Sequence, residues 1–229
     1  MKINQEQIED LYAFTRKHFV EWYDLQTELV DHLANDVETI WKEHPNLSYK
    51  EARDKAFKKF GVFGFMDVIK QRQKAMSKTY TKHLFSELKK WFKIPQIFAT
   101  ISFFLIFLIS FSSSVSGYLF IAFYLMTAIW CVYKSIQLNR QFRRRKEISN
   151  KKWLLEEMIF KQAGGVGFIF GSQIGNVFRY SNSLFENAYV ILSVAIVATL
   201  LCLINYISFE VIPSKAEKLL KETYPEYVL

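Results

Sequence analysis

Apolar and polar positions follow two different rhythms along this chain, and the change comes near residue 78. Before it, apolar residues recur at helical spacing among charged ones. Leu25, Leu29, Leu33, Val37 and Ile40 line one face of a segment that reads as a helix from Tyr23 to His44, stopped by Pro45. Asn4 followed by Gln7, and Ser48 followed by Glu51, are capping-box spacings that open a first and a third helix. The third should end at Gly61, and a further helix should cover Phe63 to about Ser77. Residues 1–78 therefore predict a small helical domain.

Beyond residue 78 the apolar positions fuse into runs. Uncharged stretches at 94–111, 117–133 and 188–209, and a shorter one from about Gln162 to Phe178, predict four crossings of a ~30 Å hydrocarbon core. The fourth stretch carries Gln173 and Asn176 and five of the eight glycines. Ala163, Gly167, Gly171 and Gly175 fall at every fourth position, a stripe over which helix backbones can approach closely in lipid. Gly164, Ser172 and Asn176 adjoin it. A phosphate-binding loop would need a preceding strand and a following Lys-Ser or Lys-Thr, and neither is present. The stripe serves equally a partner helix of the same chain or of a second copy, which would make a homo-oligomer. The segment 79–93, with Leu84, Phe85, Leu88, Trp91 and Phe92 on one face, reads as a basic amphipathic linker helix, and 151–162 as a weaker one.

Charge gives these runs a direction. The net charge of +8 is not carried by 1–78, where 13 Lys and Arg balance 13 Asp and Glu. It is concentrated at 79–93 (4 against 1) and at 134–152 (8 against 1). Four crossings put both of these, and Lys215, Lys218 and Lys221, on one side, which the positive-inside rule assigns to the cytoplasm. The expected architecture is all-α: a cytosolic domain over 1–78, the linker helix 79–93, a four-helix transmembrane bundle over 94–212 and a cytosolic tail over 213–229. Such a chain would sit in the cytoplasmic membrane with both termini inside. Arg143, Arg144, Arg145 and Lys146 are the basic residues best placed to face lipid head groups, whether as a topology signal or as an anionic-lipid contact. The basicity is too local to track a nucleic-acid backbone, so no direct nucleic-acid partner is expected.

Within the first domain, Glu28, Asp31, His32 and Leu33 in "ELVDHL", Glu51, Ala52 and Ala56 in "SYKEARDKA", then Phe60 and Gly61, resemble the HAAS-type helical signalling domain, also met as a permease-prefix domain. That resemblance implies a cytosolic helical module preceding transmembrane helices in a bacterial membrane protein. It also implies membrane-linked regulation, with a PadR-like regulator or a transporter subunit as the protein partner.

Catalytic chemistry has little to build on. Glu28 and His32 share a helix face with Asp36, a pairing that serves a divalent metal, an acid–base couple or a structural ion pair. No second cluster supplies further ligands, and His18, His44 and His83 are isolated. Cys131 and Cys202 lie in apolar runs and read as packing residues. We therefore expect a non-enzymatic regulatory or scaffolding protein without cofactor or metal. The rivals are an accessory transport component, which would want ionisable residues at mid-span, and a membrane-embedded enzyme acting on lipid.

Overall fold

The computed structural model describes residues 2–161 and 185–227. Every regular element among them is helical. They divide into two compact units, one of Met1–Lys78 with Ser149–Leu155, the other of Thr79–Ile148 with Glu156–Leu229.

The first unit is built on α1 (Gln5–Lys17), α2 (Tyr23–Glu43), α3 (Tyr49–Lys58) and the first half of α4 (Met66–Lys90). Both capping boxes form. The Asn4 side chain accepts from the Gln7 amide at 2.9 Å and the Gln7 side chain accepts from the Asn4 amide at 3.0 Å. Glu51 accepts from the Ser48 amide at 2.9 Å and donates its own amide to Ser48 Oγ at 3.4 Å. Helix α2 packs on α1 and α3. Its predicted face, Leu25, Leu29, Leu33, Val37 and Ile40, is buried with Leu11, Ala52, Ala56, Phe65 and Ile69.

After α3 the chain turns at Gly61, whose φ of +77° lies in the left-handed region. Gly64 has φ +53°, and a Cβ there would stand 2.9 Å from the Phe57 ring. That ring is held by neighbours. It stacks on His18 at 4.4 Å and meets Phe14 and Phe65 edge-on at 5.2 and 4.9 Å. Glycine at 64 is what lets the turn close on this aromatic cluster.

Unlike α1 and α3, helix α2 has no side-chain cap at its start. Its free amide is met from far along the chain: Tyr23 N–H donates to the Lys152 carbonyl at 2.7 Å. Leu154 N–H reaches Asp24 Oδ1 at 3.3 Å. Trp153 is 1% exposed and meets Tyr23 edge-on at 5.3 Å. Lys152 pairs with Glu21 at 2.5 Å and lies over Trp22, and Lys151 lies over Tyr23. The residues Lys151, Lys152 and Trp153 looked like the start of a membrane-surface helix. They form instead a strap on the first unit, because aromatic rings at 22 and 23 accept both cations and the tryptophan. Regular helix begins only afterwards, as α7 (Leu154–Lys161).

The second unit contains the rest of α4, α5 (Gln96–Phe111), α6 (Ser116–Ser149, of which 116–148 belong here), α7 from Glu156, and α8 (Ala188–Tyr206). A π-helical stretch, Ile207–Val211, a single turn, Ile212–Ser214, and α9 (Ala216–Thr223) complete it. Among the described residues, two helical stretches are long and apolar enough to cross a membrane, Ser116–Ser149 and Ala188–Ser214; Gln96–Phe111 is apolar but shorter. The predicted run at 162–178, with Ala163, Gly167, Gly171 and Gly175, lies outside the described residues.

Helices α5 and α8 pack against each other, with Phe111, Ala195 and Ala198 buried between them and α6. Their ends are level. At one end Phe111, Phe120 and Phe185 form a ring cluster with centroids 5.3–5.8 Å apart. At the other, Trp91 meets Tyr206 edge-on at 5.6 Å, and Lys134 pairs with Glu210. So α6 and α8 run in the same direction, opposite to α5.

If the strap completes the first unit, Trp153→Ala should destabilise it by about 3–5 kcal/mol, the usual cost of truncating a buried tryptophan. Protease protection of the 1–78 region in the detergent-solubilised full chain measures this. Unchanged protection would mean that the strap is dispensable.

Candidate functional site

The residues singled out from sequence are now dispersed over two regions. In the first unit, Glu28 pairs with Arg72 at 3.6 Å, while Asp31 and His32 are exposed. Asp36 pairs with Lys59 at 2.7 Å. Glu28 and Asp36 of this row thus join α2 to the neighbouring elements through separate ion pairs, while His32 between them is exposed. No group of three or more His, Cys, Asp or Glu among the described residues is placed to hold a metal. Glu51 serves its capping box and Gly61 its turn.

What sequence reading passed over in this unit is a corner of exposed apolar side chains. Phe19 is 79% exposed, Val62 99% and Phe63 71%. Phe19 follows His18 directly and has φ +64°, a conformation that disfavours a bulky residue. Val62 and Phe63 lie between Gly61 and Gly64. All three therefore leave from the two segments that close the aromatic cluster of Phe14, His18, Phe57 and Phe65. The "FGVFGF" run carried the signal, since two glycines needing positive φ force the residues between them outward.

Beside that corner, Asp10 receives hydrogen bonds from the Tyr49 hydroxyl and Arg53, both at 2.9 Å. Burial pulls the Asp10 carboxyl upward, but these bonds and the Arg53 charge outweigh it, and its pKa lies below the usual 3.8.

In the second unit the basic residues converge on one end. Lys134, beside Glu210, also lies 5.0 Å over the Trp130 ring. Trp91, Trp130, Tyr133 and Tyr206 gather there, the distribution expected of an aromatic belt at a membrane interface. Tyr118 and Tyr189, 76% and 81% exposed, mark the opposite end. Glu87 bridges Lys90 at 2.7 Å and Lys215 at 2.8 Å. Burial raises the Glu87 pKa, but the two ammonium groups prevail and hold it below the ordinary 4.5.

The four consecutive cations do not act together. A helix turns 100° per residue, so neighbours in sequence face different surroundings. Arg145 points at Glu156, 3.6 Å away, and donates to the Tyr227 hydroxyl at 3.3 Å while lying over Phe160. Glu156 is 1% exposed; burial raises its pKa, and Arg145 and Tyr227 only partly offset that. Burial and then the Glu156 charge push the Tyr227 hydroxyl up to about 12. Arg144 and Arg140 line one cavity, of about 430 Å³, with Tyr133, Ile136, Gln137 and Gln141. Arg143 and Lys146 instead line a cavity of about 550 Å³ with Ser135, Asn139, Phe142, Phe160 and Lys161. Of these two cavities, the second is the larger and is closed by residues of a second helix, α7.

Cys131 is fully buried and donates to Asn205 Oδ1 at 3.6 Å, linking α6 to α8 at the level of the apolar core.

Compared with known proteins, the chain matches no family model, no curated protein and no solved structure.

The half-buried Glu87 and the buried Glu156 set opposite pH dependences. Glu87, with its folded pKa depressed, stabilises the fold above about pH 4.5, and that contribution is lost as pH falls through the folded value. Glu156, with its folded pKa raised, disfavours the fold at neutral pH and relieves it as pH drops toward 4.5. Glu87→Gln should therefore lower the unfolding midpoint at pH 7 and converge on wild type in acid. Glu156→Gln should lack the gain that wild type makes on mild acidification. Tryptophan-fluorescence melts of the full chain across pH 4–8 test both signs.

Proposed function

We propose that this chain is an integral membrane protein with four crossings, whose N-terminal helical unit is a cytosolic docking and signalling module of HAAS type. The reading is regulatory or scaffolding, not enzymatic. The observation that carries it is the exposed corner at Phe19, Val62 and Phe63 on an otherwise well-packed unit. Three apolar side chains left in water, Phe19 on positive-φ backbone and Val62 and Phe63 between two positive-φ glycines, cost folding free energy, and such patches mark interaction surfaces. A PadR-like regulator or a subunit of a membrane transporter is the class of partner this implies.

Two facts support four crossings. Lys161 lies 5.0 Å over the Phe142 ring, and Phe185 lies 5.5 Å from the Phe120 ring. Phe120 and Phe142 are 22 residues apart on α6, about 33 Å along its axis. The described residues on either side of 162–184 therefore lie at opposite levels of α6. Loop charge adds the direction, with the basic end facing the cytoplasm.

Single cysteines at Lys161 and Glu186, in a background with Cys131 and Cys202 replaced by Ala, should react with a membrane-impermeant maleimide from opposite faces of sealed vesicles. Labelling of both from one face would remove the third crossing.

For the docking reading, a photo-crosslinking side chain in place of Phe63 in native membranes should give a discrete protein adduct. Adding Phe19→Ser should reduce that adduct several-fold without altering the amount of full-length protein. A crosslinker at Phe63 that yields no adduct would overturn the docking role, whatever the topology.

A further inference from the structure

We infer that the cavity between α6 and α7 binds the phosphodiester head group of an anionic phospholipid. The site would make one lipid a specific, stoichiometric ligand, beyond any general attraction of basic residues to the membrane. It rests on the proposed membrane orientation but not on the docking role of the first unit.

The cavity is built by helical register. Ser135, Asn139, Phe142, Arg143 and Lys146 share one face of α6, and Phe160 and Lys161 of α7 close it. Phe142 and Phe160 are nearly fully buried and form an apolar floor. Arg143 and Lys146 are exposed and have no ion-pair partner among the described residues. Lys161 is shared with Glu157 at 2.8 Å, so the cavity retains an excess of positive charge. Ser135 Oγ is buried and has no hydrogen-bond partner among the described residues. A cationic rim, an unused hydroxyl, an amide at Asn139 and an apolar floor describe a receptor for an anion attached to hydrocarbon.

Depth decides between a lipid and a soluble phosphate. Ser135 follows Lys134, which sits on Trp130 at the level where the aromatic belt forms. From Ser135 to Lys146 the cavity runs about 16 Å along α6. Its upper part therefore lies in the head-group layer, roughly 5–8 Å thick on each side. Side chains on a helix tilt toward its N-terminus, so Arg143 and Lys146 lean back toward the apolar segment and the phosphate plane. A free phosphate would gain nothing from Ile136, Phe142 and Phe160, which also line the space.

The test uses the full chain in nanodiscs of mixed dioleoyl phosphatidylglycerol and dioleoyl phosphatidylcholine, released for native mass spectrometry. Wild type should retain phosphatidylglycerol preferentially. The triple change Arg143→Gln, Lys146→Gln, Lys161→Gln should weaken that preference by more than about tenfold, since each cation near the surface contributes appreciably. Arg140→Gln with Arg144→Gln, on the other face of α6, should leave it nearly intact. Asn139→Phe keeps every charge but fills the cavity, and should also abolish the preference.

The proposal is overturned if the Arg140/Arg144 pair loses as much as the triple variant, because the effect would then be diffuse charge. It is overturned equally if Asn139→Phe retains the lipid, or if glycerol phosphate in solution displaces it. Equal retention of the two lipids by wild type would also end it.

Discussion

An unsatisfied amide organises this protein. Helix α2 begins at Tyr23 after Trp22, a residue that cannot cap it, so the helix must find an acceptor elsewhere. It finds the Lys152 carbonyl, and the contact brings with it a buried tryptophan, two cations on aromatic rings and an ion pair. Because of that single requirement, the segment after the longest helix is part of the first unit. The division of the chain is therefore not a division of the sequence: 1–78 supplies most of one unit and 149–155 completes it.

In the second unit the organising condition is level matching. Helix ends that share a height share chemistry, phenyl rings at one end and aromatic residues with paired charges at the other. An apolar surround offers backbone groups no partners outside their own helix, so polar contacts belong at the ends. Among the described residues, Cys131 and Asn205 make a side-chain contact between helices inside the apolar zone, and it joins two helices that run in the same direction.

How much of this was legible depended on the range of the interaction. The capping boxes at Asn4 and Ser48 were readable because their partners are three residues away. The buried face of α2 was readable because its period is that of the helix itself. The apolar stretches were found by composition, although α4 runs without a break from Met66 to Lys90 where two helices were expected, and α6 continues far past its apolar part. The strap was illegible, since "KKW" is equally at home on a lipid surface, and only tertiary contact with Trp22, Tyr23 and Asp24 distinguishes the cases. The splitting of "RRRK" into an inward arginine and three cations that line two different cavities follows from helical rotation. Sequence gave the rotation but not the neighbours. The exposed Phe19 had no local signal, whereas "FGVFG" had one in its glycines.

The strap also imposes an order of events. When residue 78 leaves the ribosome, the first unit still lacks the tryptophan that fills it and the carbonyl that terminates α2. About 75 further residues, including two apolar stretches, must be made before Trp153 exists, a delay of roughly 4–15 s at ordinary rates of synthesis. The N-terminal unit, although translated first, is thus finished only after α5 and α6 have been synthesised. Its completion therefore reports that both of those segments have already been made.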